Sequence, residues 1–298
     1  MTMISDNFTN YLEPILNEVF WDNYNRQFAT DSVLRLFKNA SSQKAKETIN
    51  SLSGVGYLKE RKAGAGPNFV EITDQYQTEF AHKEYQATLP IDIQLIEDQD
   101  YINISLIAEE MGSAAGQTKR SHAASVFANA FTAAFAGADG VELCDASHPV
   151  GSTTISNIGS TALSYASVIA TRALMRKFTD ANGLPAGVIP DTIVVPLDLE
   201  EAAWQIANAA GKPGTANNDE NFQNGLNVVV DPYLSDTNNW FMADSRIAAS
   251  RLIWFDRVMQ EPSLIAPNAK DFNFYYGTRM RYSYGWSDWR WVYGHSVS

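Results

Sequence analysis

Asp145, Ser147 and His148 place the three residue types of a hydrolytic triad within four positions of one another. In such a triad a carboxylate orients an imidazole, which takes the proton of a hydroxyl nucleophile. The groups of a triad are brought together by the fold, so closeness in sequence is no evidence for one. No Gly-x-Ser-x-Gly elbow surrounds Ser147 either. The plainer reading is a turn fixed by Asp145, Ser147 and Pro149, with His148 hydrogen-bonding locally. Cys144 and His148 stand four apart and could share a helix face as metal ligands. A structural zinc site takes four ligands, and His82, His122 and His295 are too scattered to complete one. Cys144 reads instead as a small buried hydrophobe.

The remaining constellations are weaker. Gly211-Lys212-Pro213-Gly214 lacks the Gly-Lys-Ser or Gly-Lys-Thr of a phosphate loop and follows a helical pattern. Glu109-Glu110 and Glu200-Glu201 are adjacent on helical segments and point apart, whereas glycoside hydrolysis needs carboxylates that face one another. Tyr275, Tyr276, Tyr282, Tyr284, Trp286, Trp289, Trp291 and Tyr293 crowd the C-terminal segment, with Arg279, Arg281 and Arg290 among them. One use of such a cluster is a stacking platform for sugars or bases. The preferred use is a sheet with cross-strand aromatic pairs, buried against a long helix or a neighbour. We assign no catalytic, cofactor-binding or metal-binding residue and read the chain as non-enzymatic.

The chain that must position these groups has 298 residues and is 45% apolar, enough for a substantial core in one or two domains. Charged residues make up 19%, below the roughly 25% of ordinary soluble domains, and aromatics reach 12%. Few charges and many aromatics imply burial beyond the chain's own core, in large subunit contacts. The net charge is −12. Residues 191–240 carry eight acids against one Lys, while residues 241–298 carry seven basic groups against five acids. So acidic a chain does not hold DNA by counterion release, though it suits a container whose wall must not adsorb its contents. A single cysteine excludes an intrachain disulfide. No signal-peptide pattern and no apolar run near the ~18 residues of a membrane span is visible.

The expected class is α+β. Residues 1–50 carry short helical patterns, with Tyr11, Leu12, Ile15, Leu16, Val19 and Phe20 recurring despite Pro14. They read as an extended arm that docks elsewhere, or as an ordinary helical pair. Residues 54–90 read as a protruding β-hairpin, with strands at 68–73 and 80–89 flanking the Gly64-Ala65-Gly66-Pro67 turn. Residues 101–136 form a long helix, weakened by Gly112 and Gly116 and so open to a kink. Helices at 162–178 and 199–210 follow, the second capped by Asp198 with Glu201 three residues on. Strands are expected at 192–196, 226–230, 240–243 and 251–255, and an acidic polar loop at 211–227. Aromatic-rich β segments over 272–292 close the chain.

Several of these residues together resemble the tailed-bacteriophage major capsid (head) protein family, in particular its Mu-like head subunits. The run Ile96-Glu97-Asp98-Gln99-Asp100-Tyr101 is similar to the acidic segment that opens the spine helix there. Phe127-Ala128-Asn129-Ala130-Phe131, then Asp139-Gly140, Leu143 and His148-Pro149, follow the family's order, as do Trp240-Phe241-Met242-Ala243-Asp244 and Asp288-Trp289-Arg290. The resemblance covers residues 54–298. Cys144 departs from it, since a large apolar residue is usual after Leu143.

The resemblance implies an N-terminal arm (1–53), an extended loop lying over a neighbouring subunit (54–90), a peripheral domain with a spine helix (91–146), an inserted axial domain (147–255) and return strands of the peripheral domain (256–298). It implies no catalysis and no cofactor. It implies self-assembly into pentamers and hexamers of an icosahedral head that encloses double-stranded DNA without reading its sequence, built in the host cytoplasm. A separate scaffold, a portal and a decoration protein are the expected partners, and a membrane is not. Some family members fix the extended loop to a neighbour with a Lys–Asn isopeptide bond. Lys59, Lys62 and Lys83 could donate, but no acceptor motif is visible, so a non-covalent shell is expected. Two other readings stay open: a tail or connector protein, and a carbohydrate-binding protein or enzyme that uses the aromatic C-terminal segment.

Overall fold

The computed structural model describes residues 5–29, 32–52, 55–64, 66–69, 72, 74–98, 100–214, 219–265 and 273–298. The chain opens with helix α1 (Ser5–Ala29), which carries Pro14 inside it. A 3-10 turn (Val33–Leu36) leads to strands β1 (Lys38–Ser41), β2 (Lys46–Leu52), β3 (Asp74–Ala81) and β4 (Lys83–Asp92). A short helix α2 (Ile93–Glu97) precedes the long helix α3 (Tyr101–Ala128). Short strands β5 (His148–Val150), β6 (Thr153–Ile155) and β7 (Ile158–Gly159) follow. Then come α4 (Tyr165–Met175), β8 (Thr192–Val195), α5 (Glu200–Asn208), β9 (Asn227–Val230), β10 (Trp240–Ala243), α6 (Ser245–Arg251), and strands β11 (Leu252–Ile265), β12 (Asn273–Trp286) and β13 (Val292–His295).

Two sheets organise the molecule. The first has the order β1-β11-β12-β4 and the second the order β7-β13-β10-β8-β9. The chain lays down the four strands β1 to β4 before α3, crosses to the second sheet, and returns through α6 to the paired fourteen-residue strands β11 and β12. It then ends in the second sheet, with β13. Val292 to His295 are fully buried there because β13 lies between β7 and β10.

Helix α3 is unbroken through Gly112 and Gly116, contrary to the kink expected there. The glycines serve a close approach instead. A Cβ on Gly112 would overlap the Phe20 carbonyl oxygen, and one on Gly116 would fall 2.7 Å from Gln27 Cγ. Arg120 completes the seam by donating to the Gln27 carbonyl at 3.0 Å. The helices therefore run parallel and in step, with Leu12, Leu16 and Phe20 of α1 buried in one cluster with Ile104, Ala108 and Met111 of α3. Part of the segment read as an arm is thus packed on its own chain. Its second apolar group also finds the body: Val33, Leu36 and Phe37 enter the main core.

The hairpin has other arms than expected. β2 pairs with β3, Lys46 opposite Ala81 through Leu52 opposite Asp74, and β4 belongs to the first sheet. Of the expected strand at 68–73, residues 70, 71 and 73 lie outside the described residues, and 68, 69 and 72 form no regular structure. The hairpin's base rests on the body through Phe80 against Phe255, 5.4 Å between ring centres, and Tyr76 Oη donating to the Pro149 carbonyl at 3.3 Å.

The second sheet is covered on both faces, which explains why β8 and β10 are continuous apolar runs; every residue of both is buried. Thr171 of α4 meets His295 of β13, and Phe127 and Phe131, at the end of α3 and beyond, pack on Phe241 of β10. α4 is capped by Ser164, whose hydroxyl accepts from Ser167 N while Ser167 Oγ accepts from Ser164 N. Asp198 does not cap α5. It is taken up in a 3-10 turn (Leu197–Leu199), which moves the helix start one residue on. Helix α6 was not expected; Asp244 caps it, accepting from Ile247 N at 3.0 Å.

Candidate functional site

The residues whose types suggest chemistry are held apart. Ser147 Oγ donates to Asp145 Oδ1 at 2.8 Å and Ser147 N to the same oxygen at 2.6 Å, the turn that this pattern favours. His148 faces the other way. Its Nδ1 lies 2.6 Å from Asp139 Oδ2 and its Nε2 3.1 Å from Asn157 Oδ1, so both ring nitrogens are occupied. The ring is fully buried and stacked on Trp289 at 4.2 Å. A triad needs an imidazole between the carboxylate and the hydroxyl, and both nitrogens of His148 are taken by Asp139 and Asn157 rather than Ser147. Sequence reasoning missed Asp139 and Asn157, the partners of His148. Asn157 also donates to the carbonyls of Leu143 and Val292, so it stitches the β5 region to β13.

Cys144 is buried, and desolvation pushes its thiol well above the usual range, away from the reactive thiolate. It is small for a steric reason: a Cβ on Gly294 of β13 would already fall 2.7 Å from its Sγ. Among the described residues no three His, Cys, Asp or Glu side chains are placed to hold a metal ion.

The aromatic cluster is a sheet interior. Trp254 of β11 lies opposite Tyr284 of β12, stacked at 5.1 Å, and Tyr282 stacks on Tyr85 of β4 at 4.7 Å. Helix α3 seals it: His122 Nδ1 is 2.7 Å from Tyr282 Oη, and Ser125 Oγ donates to Tyr284 Oη. Tyr276, Tyr282, Trp289, Trp291 and Tyr293 are buried, so they offer no face for stacking a ligand.

What the surface offers is apolar. On the hairpin tip Leu58 is 87% exposed and Phe69 91%, beside Tyr57. At the start of the α1–α3 pair, Tyr11, Ile15, Ile102 and Leu106 are exposed. On the second-sheet body, Leu197, Trp204 and Phe222 are exposed, Phe222 lying under the Arg172 guanidinium at 5.9 Å. Contiguous exposed apolar patches mark contacts with other macromolecules, and these three regions are where the described surface gathers its large apolar side chains. Sequence reasoning saw too few charges for a lone molecule but not which residues carry the surplus. Isolated large apolar residues inside polar stretches, such as Leu58 among Lys59-Glu60-Arg61-Lys62, were the available signal. No described helix is long and apolar enough to cross a membrane.

Comparison with known proteins agrees with this surface. The model of the phage capsid protein family matches residues 75–294, from the second arm of the hairpin to the last strand. None of the curated proteins matches significantly. Among solved structures, that of Mycobacterium phage Adephagia superposes with a TM-score of 0.55 at 14% identity, covering 90% of each chain. The bacteriophage JBD30 capsid gives 0.56 at 15% identity over 69% of this chain and 91% of that one. The virus-like particle of Pyrococcus furiosus gives 0.55 at 9% identity over 96% and 99%. At such identities these structures share the fold, and the family match carries the assignment. The chain belongs to the phage capsid protein family and is a structural major capsid protein, not an enzyme.

Proposed function

We propose that this chain assembles with copies of itself into pentamers and hexamers of an icosahedral head that encloses double-stranded DNA. The observation that carries this is the family match over residues 75–294, joined to a surface on which large apolar groups lie exposed in three regions. The net charge of −12 suits a wall that encloses a polyanion without adsorbing it. Assembly takes place in the host cytoplasm, with a separate scaffold and a portal, and with a decoration protein as a further partner.

In this reading residues 1–53 are the arm, 54–90 contain the loop that lies over a neighbour, 91–146 and 256–298 form the peripheral domain, and 147–255 the axial domain. Four strands of the five-stranded sheet, β7 to β10, fall within 147–255, so that sheet belongs at the capsomer centre, and β13, although within 256–298, goes with it. The acidic stretch 191–236, with its loop at 211–227, faces the local axis, where repeated carboxylates repel within a Debye length of ~8 Å at physiological salt. Negative-stain microscopy of the purified chain tests the reading. Closed shells or flat sheets of hexamers support it. Tubes or small rings point to a tail or connector protein, and particles of single-chain size contradict it.

A further inference from the structure

The ring of His148 is fully buried where strand β5, the loop after α3, the residue before β7 and the β12–β13 turn meet. Its Nε2 faces Asn157 Oδ1 at 3.1 Å. Three other bonds fix which end of that amide is oxygen. Asn157 Nδ2 donates to the carbonyls of Leu143 at 2.8 Å and Val292 at 3.2 Å, and Oδ1 accepts from Asp145 N at 2.8 Å. Turning the amide over would set its oxygen against two carbonyls and its NH2 against an N–H. Oδ1 is therefore an acceptor, and Nε2 must donate to it.

That leaves Nδ1, which lies 2.6 Å from Asp139 Oδ2. A neutral ring with its one proton on Nε2 would turn a bare nitrogen towards a carboxylate oxygen, lone pair against lone pair. So short a contact is that of a charge-assisted hydrogen bond and needs a proton between the two atoms. The pair thus holds one proton more than a neutral imidazole beside an ionised carboxylate. Imidazole is ordinarily the stronger base of the two, so the proton belongs to the ring. The face of Trp289, stacked on that ring at 4.2 Å, suits a cation.

The other described charges around the ring are engaged elsewhere. Asp145 turns its carboxylate to Ser147. Arg290, over the Trp289 ring, pairs with Asp288 at 2.8 Å. Asp139 is the carboxylate left to His148, and the root of the hairpin lies on its other side. Ser51 of β2 and Tyr76 of β3 line a cavity of about 20 Å3 together with Asp139. Burial, and then the charge of Asp139, hold the Tyr76 hydroxyl above its usual range. That hydroxyl donates to the carbonyl of Pro149, the residue after His148.

We propose that His148 and Asp139 form a buried imidazolium–carboxylate pair that seats the root of the β2–β3 hairpin, and that removing its proton unseats the hairpin. A neutral ring cannot satisfy two acceptors. Loss of the proton sets Nδ1 against Asp139 and drives apart the loop after α3 and strand β5, the two pieces that Tyr76 spans. The effect appears as the pH rises. That is opposite in direction to His82, His122 and His295, which burial favours in the neutral form. The device lies within one chain and does not depend on what the chain assembles into.

Solid-state NMR of the full chain, labelled with nitrogen-15 at its four histidines, reads the proton on each ring nitrogen. At pH 7.5 one ring should be protonated on both nitrogens and the other three neutral, and His148→Gln should remove that one signal. Asp139→Asn should turn the ring neutral, because an amide can donate to a bare Nδ1. Hydrogen exchange reads the hairpin. Between pH 7 and pH 10 the amides of β2 and β3 in the parent chain should speed up roughly tenfold relative to those of the Asp139→Asn chain at the same pH, as local opening becomes easier. Four neutral rings in the parent chain, or a doubly protonated ring that survives Asp139→Asn, overturns the pair. A parent-to-variant exchange ratio that stays constant with pH overturns the unseating.

Discussion

Gly112 of the long helix lies directly against the backbone of Phe20 in α1, with space for a hydrogen and nothing larger. A Cβ at Gly112 would stand 3.1 Å from the Phe20 carbonyl carbon and closer still to its oxygen. Backbone cannot swing aside as a side-chain tip can, so the two helices must part to admit a methyl group. Gly112→Ala improves helix propensity by about 1 kcal/mol, yet overpacking of this kind costs about 1–3 kcal/mol. The expected outcome is a net loss of stability with α1 undocked. Limited proteolysis should then cleave within residues 5–29 of the variant much faster than in the parent chain, while the second-sheet body stays protected. Equal cleavage rates would contradict the packing.

His295 gives the fold an acid sensitivity. Thr161 N points at its Nδ1 from 3.3 Å, so Nδ1 accepts and Nε2 donates to Thr171 Oγ1 at 2.7 Å. The ring is neutral in this arrangement, and burial beside Trp240 holds its pKa down at about 4. Burial also lowers His82 and His122. Below the ordinary histidine value near 6.5 the unfolded chain binds protons that the folded chain refuses. Stability is therefore complete above about pH 6.5 and falls as the pH drops towards 4, by up to about 3 kcal/mol for His295 alone. Thermal unfolding between pH 7 and 4 should show a falling midpoint. His295→Gln, which keeps a donor and an acceptor but does not titrate, should flatten that profile.

Asp231 ties the start of the chain to the second sheet. It is fully buried, and its Oδ2 accepts from Ser32 Oγ at 3.0 Å and Val33 N at 2.9 Å, while Oδ1 accepts from Tyr233 N. Asp231→Ala leaves the buried Val33 N–H without that partner, a loss of about 1–3 kcal/mol. Chemical denaturation should show a lower midpoint with an unchanged slope.

The contrast between what the sequence reveals and what it hides follows from distance along the chain. The long helix was readable from the spacing of Ile104, Ile107 and Met111, and the strands at 192–196 and 240–243 from unbroken apolar runs. The aromatic C-terminal sheet was readable because Tyr282 and Tyr284 lie close in the sequence to the other rings. Gly112 was misjudged because propensity sees a weak helix position, while its true constraint is Phe20, far away in the chain. The hairpin's first arm was missed because Lys46–Leu52 is largely polar, with a partner strand more than twenty residues on. The Asp145–Ser147 turn was readable from its residue types, but His148 opens strand β5 and nothing in its immediate sequence announces Asp139 and Asn157, nine residues away on either side, as the partners that fix it.

The expectation of a non-covalent shell is checked by denaturing electrophoresis of mature particles. A single band near 33.0 kDa is the expected result. A ladder that survives boiling and reductant would show that Lys59, Lys62 or Lys83 has formed an isopeptide bond after all.

The central claim, that this chain builds the wall of a phage head, is tested most directly by reconstructing a particle assembled from the purified chain by electron cryomicroscopy. The account expects a closed icosahedral shell of pentamers and hexamers. The five-stranded sheet should face each capsomer axis, and the α1–α3 pair and the β11–β12 ladder should lie towards its rim. A helical tube, a single ring, or a shell with the second-sheet body turned to the rim would contradict it.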